Sequence, residues 1–419
     1  MRLAQRNQSI EPFYVMDVVR AAAQQQTAWE AQGKRMIHLS VGEPDFTAPE
    51  PVIEAATRAL RDGRTGYTLA PGLPALRERI AQHYAQAHGL AIDPSRVFVT
   101  AGASGALTLA SLLLFNPGDE VLMPDPSYPC NKNFVAAAGA RARMLPAPAA
   151  QRFQLTADEV EAAWTPQTAG VLLASPSNPT GTSIAPDELR RIVDAVRARG
   201  GVSLVDEIYL GLSYDDAQGN AGPPQVSLPP AGGGSAGRPR GPTHGQTALA
   251  AGDDVITVNS FSKYFQMTGW RLGWLVVPPT LVAPLERMAG NLFICASSVA
   301  QHAALACFET DTLKEYERRR AEFKQRRDLI VPGLEALDLR VPVRPDGAFY
   351  VYADCSAYSA DSWDFCFDVM RDTGVVLVPG KDFGTAEPQR YFRLSYANSL
   401  ANLQEALERL RGYLERKAA

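Results

Sequence analysis

Short apolar runs, separated by longer amphipathic stretches, recur along the first two thirds of the chain. They are rich in Val, Ile and Leu, and their lengths are those of strands buried on both faces. The runs are Val97–Thr100, Glu120–Met123, Gly170–Ala174, Val202–Val205, Val255–Val258 and Leu272–Val277. Strands alternating with helical patterns are typical of a mostly parallel sheet wrapped by helices, so the sequence predicts an α/β fold. We expect the last run at a sheet edge.

The remainder of the chain predicts a second, smaller α+β domain. Charges of alternating sign fill 312–337, which predicts a long solvated helix joining two domains. Beyond it, Gly347–Tyr352 and Arg393–Tyr396 have the pattern of strands, and Asn402–Arg416 that of a closing helix.

The composition changes abruptly between Asp216 and Gly252. Gly, Pro and Ser dominate this stretch, for example in Gly232–Ser235 and Arg238–Pro242. Such a segment has little to bury, so residues 217–252 are predicted to be a low-complexity insert, disordered or loosely held at the surface. A lid over a binding site is the alternative interpretation, because the insert is longer than a compact connection needs.

Composition and charge exclude several classes of partner. The 419 residues are 46% hydrophobic and 21% charged with a net charge of −4, so neither nucleic acid nor an anionic membrane is expected as a partner. No apolar run approaches the ~20 residues that span a bilayer, and the N-terminus lacks the apolar core of a signal peptide. Five widely spaced cysteines predict free thiols and no metal site. We therefore predict a cytoplasmic protein.

Small and polar residues follow five of the predicted strands. In open α/β sheets, ligands bind outside the carboxyl ends of the strands, so the residues that follow these strands are expected to line one crevice. The five segments are Gly102–Ser104, Asp125–Tyr128, Ser175–Pro179, Asp206–Tyr209 and Ser260–Lys263.

The chemistry of these segments points to one kind of ligand. Lysine forms imines with carbonyl compounds, including the aldehyde of pyridoxal phosphate (PLP), and Lys263 follows a strand. Serine hydroxyls and Arg271 are suitable donors for a phosphate, and small residues at a helix start leave backbone N–H groups open to an anion. Asp206 ends a strand that is expected to be buried, so a cationic ring nitrogen would offset the cost of its charge. Its neighbour Glu207 is expected to point the other way.

The segments Ser260–Lys263 and Thr268–Trp274 resemble the cofactor-lysine region of the class I/II aminotransferases, which are PLP enzymes of fold type I. Val41–Asp45, Ser177–Gly181 and Asp206–Tyr209 match the same family, and the resemblance extends from about Pro12 to Leu410 apart from the insert. It implies a ping-pong transfer of the α-amino group of an amino acid to a 2-oxo acid. Lys263 would then be both the covalent anchor of PLP and the catalytic base.

The resemblance also implies roles for the remaining site residues. Arg393 would bind the substrate α-carboxylate together with Asn178 and the backbone of Gly42. Tyr67 would cross a homodimer interface to reach the partner's phosphate, and Tyr128 would stack on the cofactor. Two further sets are implied: the phosphate site, which is Gly102, Ala103, Ser104, Ser260, Ser262 and Arg271, and the ring contacts, which are Asp206 for the nitrogen and Asn178 and Tyr209 for the phenolic oxygen.

The resemblance also places an N-terminal helix, from about Val15 to Gln32, with the small domain. The predicted division is therefore a large domain, 46–310, and a small domain formed by 1–45 and 311–419. A PLP-dependent β-lyase on the same fold stays open as an alternative. A regulator that keeps this body for ligand sensing is disfavoured, because such regulators carry an N-terminal DNA-binding domain and the family pattern here begins within about fifteen residues.

Substrate identity is not fixed by the sequence. A dicarboxylate-specific enzyme needs a second cation, for which Lys132, Arg64 and Arg344 are conceivable. Tyr128, Cys130 and the largely apolar stretch Asn291–Ile294 favour neutral or aromatic amino acids.

Overall fold

A computed structural model describes residues 2–214 and 245–418. Its helices are α1 Val15–Glu30, α2 Glu50–Arg61, α3 Pro74–His88, α4 Gly102–Leu114, α5 Pro129–Ala137, α6 Ala157–Ala163, α7 Pro186–Arg197, α8 Val282–Leu292, α9 Ser298–Ala304, α10 Thr310–Glu335, α11 Ser362–Thr373 and α12 Leu400–Ala418. Its strands are β1 Ile37–His38, β2 Val97–Thr100, β3 Glu120–Asp125, β4 Arg141–Pro146, β5 Thr168–Ala174, β6 Val202–Asp206, β7 Ile256–Ser260, β8 Gly273–Val276, β9 Tyr350–Asp354, β10 Val375–Val376, β11 Val378–Pro379 and β12 Tyr391–Ser395.

Seven strands form the central sheet, in the order β2-β8-β7-β6-β5-β3-β4. Strands β4, β3, β5, β6 and β7 pair in parallel, so the predicted α/β class with a mostly parallel sheet is confirmed. The expected edge position of β8 is wrong. This strand lies between β2 and β7 and is antiparallel to both. Trp274 and Leu275, in the middle of this strand, are almost fully buried.

Both faces of this sheet are covered, which explains the continuous apolar runs. Leu172 and Leu204 pack in a cluster that includes residues of α4 and α8. Val171 and Val205 pack on the other face, in a cluster that includes residues of α6 and α7. Side chains alternate along a strand, so Asp206 continues the face of Leu204 and is directed to the side of α4.

A smaller antiparallel sheet, in the order β11-β12-β9, contains the predicted strands near Tyr350 and Arg393. Strand β1 pairs in parallel with β10, through Ile37 and Val375, and this ties the N-terminal segment to the C-terminal part of the chain. That pairing agrees with the predicted grouping of 1–45 with 311–419, although the division itself stays a prediction.

Helix α10 spans the predicted long charged helix, but it is not solvated all round. Arg326 and Arg327 are only 2% and 1% exposed. Arg326 pairs with Asp45 and Glu322 at 2.6 and 2.7 Å, so the buried charge is compensated by carboxylates on both sides. Charge alternation did not distinguish this buried stripe from a solvated face.

The predicted insert, 217–252, lies outside the described residues except for its last part. There, Ala248–Ala251 forms a 3₁₀ turn, and Thr247, Ala248 and Leu249 are buried. The expectation of a loosely held surface loop therefore does not apply to this part. Among the helices that the structure describes, none is long and apolar enough to cross a membrane.

Candidate active site

A cavity of about 380 Å³ opens at the carboxyl ends of the central strands, a size typical of small-molecule sites. It brings together most of the residues predicted from the sequence. The predicted residues that line it are Gly42, Ala103, Ser104, Tyr128, Asn178, Asp206, Tyr209, Ser260, Ser262, Lys263, Arg271 and Arg393. Two predicted residues do not line it: Gly102, which packs beneath Arg271, and Tyr67, which is 83% exposed.

Lys263 lies in the turn that follows β7, and its side chain projects into the cavity. Its Nζ donates a hydrogen bond to the carbonyl of Gly42, which belongs to the loop after β1. Burial lowers the pKa of Lys263 to about 8, and the positive charges of Arg393 and Arg271 act in the same direction, while Glu43 and Asp206 oppose them. A lowered pKa leaves a larger neutral fraction of this amine at physiological pH than an exposed lysine has.

The predicted anion site is formed where β2 meets α4 and where β7 meets the turn of Lys263. Helix α4 begins at Gly102 without a side-chain cap, so its first N–H groups remain open to a ligand. Gly102 has φ +71°, and a Cβ there would lie 2.6 Å from a guanidinium nitrogen of Arg271. Glycine is therefore required for arginine to approach the helix N-terminus. Ser262 lies within 3.5 Å of the same guanidinium.

Asp206 and Glu207 occupy opposite faces of the sheet, as strand alternation predicts. Asp206 is 4% exposed, and burial raises its pKa to about 7, although the backbone N–H of Ile208 and the charge of Lys263 act against this. Glu207 instead accepts hydrogen bonds from Thr247 Oγ1 and the backbone N–H of Ala248, away from the cavity. Burial also raises the pKa of Glu207, to about 8. The carboxylate that reaches the cavity is that of Asp206.

Arg393 projects from β12 into the cavity and is held on several sides. Its Nη1 donates to Oδ1 of Asn178 at 2.9 Å, and its Nη2 donates to the carbonyl of Ser40 at 2.6 Å. The rings of Tyr350 and Phe383 lie 4.6 and 4.9 Å from its guanidinium carbon. The Nε has no hydrogen-bond partner among the residues described. Such a fixed, buried guanidinium is suited to a two-pronged contact with a carboxylate.

Sequence reasoning did not find Tyr350. Its hydroxyl lies 2.7 Å from the hydroxyl of Tyr209, and a Cβ at Gly42 would lie 3.0 Å from it. The run that contains it predicts a strand correctly, but nothing local indicates that one residue of the strand faces Tyr209, which is 141 residues away in sequence.

An apolar wall was also missed, and it comes from the N-terminal segment. Phe13, Val15 and Val19 line the cavity together with Val41, which precedes Gly42. The ring of Phe13 meets that of Tyr128 edge to face, with centroids 6.3 Å apart. The sequence did contain an indication of this wall. Val15 and Val19 stand at positions i and i+4 at the start of the predicted first helix, so they lie on one apolar face of it.

None of the three candidate cations for a distal carboxylate lines the cavity. Lys132 pairs with Glu11, Arg64 with Asp62, and Arg344 with Asp328. Of the described residues that line the cavity, the basic ones are Lys263, Arg271 and Arg393. Cys130 does not line it either; it is half-buried, and its side chain contacts that of Tyr128.

These residues fit the cofactor expected from the sequence. PLP presents a phosphate, an aldehyde and a ring nitrogen, and the cavity offers an uncapped helix N-terminus with Arg271, an amine on Lys263, and the buried carboxylate of Asp206. Asp206 is the strongest indication, because a buried carboxylate without a cationic partner is costly.

Comparison with known proteins supports the same assignment. The profile of the family described as "Aminotransferase class I and II" matches residues 34–410. A valine–pyruvate aminotransferase of Mycobacterium tuberculosis is 39% identical over 97% of both chains.

Solved structures agree in fold over the whole length. An aminotransferase from M. tuberculosis superposes with a TM-score of 0.88 at 39% identity, covering 99% of this chain and 100% of that one. Aspartate aminotransferase from Thermus thermophilus with maleate gives a TM-score of 0.85 at 30% identity, covering 98% and 100%.

Proposed function

This chain belongs to the class I and II aminotransferases, and on that premise we propose that it uses PLP held by Lys263 to move the α-amino group of a neutral amino acid to a 2-oxo acid. The observation that supports this most is the meeting of Lys263, Asp206 and Arg393 at one cavity. The β-lyase alternative is not supported, because the matched relatives are named aminotransferases.

Each residue has a role that follows from its position. PLP supplies an aldehyde that can take up the amino group and a ring that accepts electron density from the substrate Cα. Lys263 would anchor it and would then move the proton from Cα with the same Nζ, a role for which its lowered pKa is suited. Asp206 would keep a proton on the ring nitrogen.

The other residues of the site orient the two ends of the ligands. Arg393 and Asn178 hold the α-carboxylate, so that the Cα–H bond is directed at the amine of Lys263. Ser104, Ser260, Ser262 and Arg271 would hold the phosphate, Tyr209 would hold the phenolic oxygen, and Tyr128 would cover the ring.

The proposed substrate class rests on the lining of the cavity. Its three basic residues are all assigned to the cofactor or to the α-carboxylate, so this chain offers no described cation for a second carboxylate. The wall formed by Phe13, Val15, Val19 and Val41 is apolar and suits an aliphatic or aromatic side chain. The M. tuberculosis relative is named for valine and pyruvate, which are therefore the first pair to test.

The test is to supply the PLP-loaded protein with pyruvate and either valine or aspartate, and to measure alanine and the second 2-oxo acid. We expect equal amounts of alanine and 3-methyl-2-oxobutanoate from valine. We also expect kcat/KM for valine at least about 100-fold above that for aspartate, because an unpaired carboxylate would face the apolar wall. A preference for aspartate would contradict the neutral-substrate proposal. Release of ammonia and a 2-oxo acid without an acceptor would contradict amino transfer itself.

We further propose a cytoplasmic homodimer in which Tyr67 reaches the partner's phosphate site. The five cysteines are free, which suits a reducing compartment. Tyr67 is 83% exposed, and further exposed apolar side chains lie on its own segment and at the end of α8, where a second copy could cover them, namely Leu69, Leu292, Phe293 and Ile294. The two segments are neighbours, because Ser298 Oγ donates to the carbonyl of Gly66.

Tyr67→Phe is expected to weaken PLP binding about tenfold without changing the oligomeric state, because it removes one hydrogen bond to a charged group. Equilibrium dialysis and sedimentation measure the two quantities. Tyr358→Phe is the control, since that hydroxyl bonds the carbonyl of Leu337. Unchanged PLP affinity in Tyr67→Phe, or a monomeric wild type, would contradict the proposal.

A further inference from the structure

The segment 380–386, between β11 and β12, contacts three separate parts of the substrate site. It begins with a 3₁₀ turn, Gly380–Asp382, and continues through Phe383 and Gly384 to Thr385 and Ala386. The contacts run to the apolar wall on α1, to the guanidinium of Arg393, and to the end of β3 just before Tyr128.

The first contact holds helix α1. Asp382 is 4% exposed, and its Oδ1 accepts a hydrogen bond from the backbone N–H of Val15 at 3.1 Å. Tyr14, at the N-cap position, gives the helix no side-chain hydrogen bond, so Asp382 supplies the cap from a distant part of the chain. A carboxylate also suits the positive end of the helix dipole. Val15 and Val19, which line the cavity, are thereby fixed at the first turns of α1.

The second contact reaches Arg393, which is called the carboxylate clamp here because it is proposed to hold the α-carboxylate of the substrate. The ring of Phe383 lies 4.9 Å from the guanidinium carbon of Arg393, and Phe383 packs edge to face on Tyr352 in the neighbouring strand β9. Phe383 directly follows Asp382 in sequence. The group that holds α1 and the ring that covers Arg393 are therefore adjacent residues on one short turn.

The third contact ties the segment to the cofactor side. Oδ2 of Asp125, at the end of β3, accepts hydrogen bonds from Thr385 N and Thr385 Oγ1, both at 2.9 Å, and from Ala386 N at 3.2 Å. Ser127 N donates to the carbonyl of Phe383 at 2.9 Å. A Cβ at Gly384 would lie 1.7 Å from Oδ1 of Asp125, so only glycine permits this approach.

We propose that segment 380–386 sets the distance between the apolar wall and the carboxylate clamp, and that Asp382 and Asp125 are positioning residues for side-chain selection. This rests on the proposed function, in which Arg393 holds the α-carboxylate and the wall meets the side chain. A substrate that contacts both the apolar wall and Arg393 is bound in the productive orientation only if the position of α1 relative to Arg393 is fixed. A substrate whose side chain is a single methyl group depends much less on the wall.

The test compares valine with alanine in the PLP-loaded protein, by following the single-turnover conversion through the absorption of the cofactor. In Asp382→Ala, the ratio of kcat/KM for valine to that for alanine is expected to fall about tenfold, mainly through KM for valine. Asp382→Asn keeps an acceptor for the N–H of Val15 and is expected to stay within about threefold of the wild type. Thr385→Val removes one bond to Asp125, and we expect a smaller fall of about threefold.

The matched control is Asp93→Ala. Asp93 caps the 3₁₀ turn Pro94–Arg96 through the N–H of Ser95 at 2.8 Å, and it does not line the cavity. Its loss is expected to lower thermal stability while leaving the valine-to-alanine ratio unchanged. An unchanged ratio in folded Asp382→Ala, or an equal fall in Asp93→Ala, would overturn the positioning role.

A binding measurement separates this inference from the proposed function. Calorimetry with 3-methylbutanoate and propanoate needs no turnover, and both carboxylates should compete for Arg393. Asp382→Ala is expected to weaken 3-methylbutanoate about tenfold and to leave propanoate unchanged. Equal weakening of both ligands would contradict the inference even if the wild type transaminates. A wild type that binds both ligands but transfers no amino group would contradict only the proposed function.

Discussion

Replacing Lys263 with alanine is expected to lower kcat for amino transfer by at least about 10⁴-fold, because one amine serves as both covalent anchor and base. Among the described residues that line the cavity, no other lysine is present to take over either role. Stopped-flow measurement of a single turnover with valine checks this. The matched control is Lys314→Ala, which removes a cation paired with Asp311 at 2.7 Å, outside the cavity.

The fold of the Lys263→Ala variant should be unimpaired. Lowering the pKa of Lys263 to about 8, from 10.5, means that the folded state binds fewer protons than the unfolded state between these values. The buried amine therefore disfavours folding below about pH 8, and this cost fades as the pH rises toward 10.5. Thermal unfolding of the cofactor-free variant at pH 7 should occur at the same temperature as in the wild type or higher. Turnover within about tenfold of the wild type would contradict the assignment of Lys263.

The strands that could be predicted from the sequence are those buried on both faces. Val97–Thr100 was predicted to the residue, because its three apolar side chains are consecutive and all buried. Strand β4 was missed for the opposite reason. Every residue of Arg141–Pro146 is partly or fully exposed, so its sequence lacks an apolar run. The position of β8 was wrong because pairing order depends on long-range packing rather than on local pattern.

The site was predictable where its residues follow strands, and not where distant segments meet it. Lys263 and Asp206 stand at strand ends, which is a local feature with a known geometric consequence. Tyr350, Asp382 and Phe383 reach the site from the smaller sheet and its connections. Their positions depend on how two sheets pack together, and no spacing in the sequence encodes that. The contact between Asp125 and Thr385 spans 260 residues and has the same origin.

Asp206→Asn is expected to reduce kcat for amino transfer by about 10²- to 10⁴-fold, because a neutral amide cannot keep the ring nitrogen of the cofactor protonated. Breaking one half of a buried charge pair costs about 3–5 kcal/mol, which corresponds to a rate change of that order. Glu207→Gln is the matched control. It changes the adjacent carboxylate in the same way, but on the face directed to Thr247 and away from the cavity. Burial raises the pKa of Glu207 to about 8, so it is mainly protonated at neutral pH and glutamine should reproduce it within a few-fold.

The pH dependence of stability provides a second test that needs no turnover. With its pKa raised by burial from 3.8 to about 7, Asp206 binds more protons in the folded than in the unfolded state between these values. Its contribution to the free energy of unfolding therefore falls as the pH rises through this window. Above pH 7 the folded state bears the full cost of burying the ionised carboxylate. The cofactor-free Asp206→Asn variant has no carboxylate to bury at this position. Its melting temperature, relative to that of the cofactor-free wild type, should therefore increase as the pH is raised from about 4 to about 8. Saturating PLP should reverse the order, since only the wild type gains a partner for its buried charge. Two results would show that Asp206 does not face the ring nitrogen. One is a higher melting temperature for the wild type than for the variant without PLP. The other is an equal rise in melting temperature of both proteins when PLP is added.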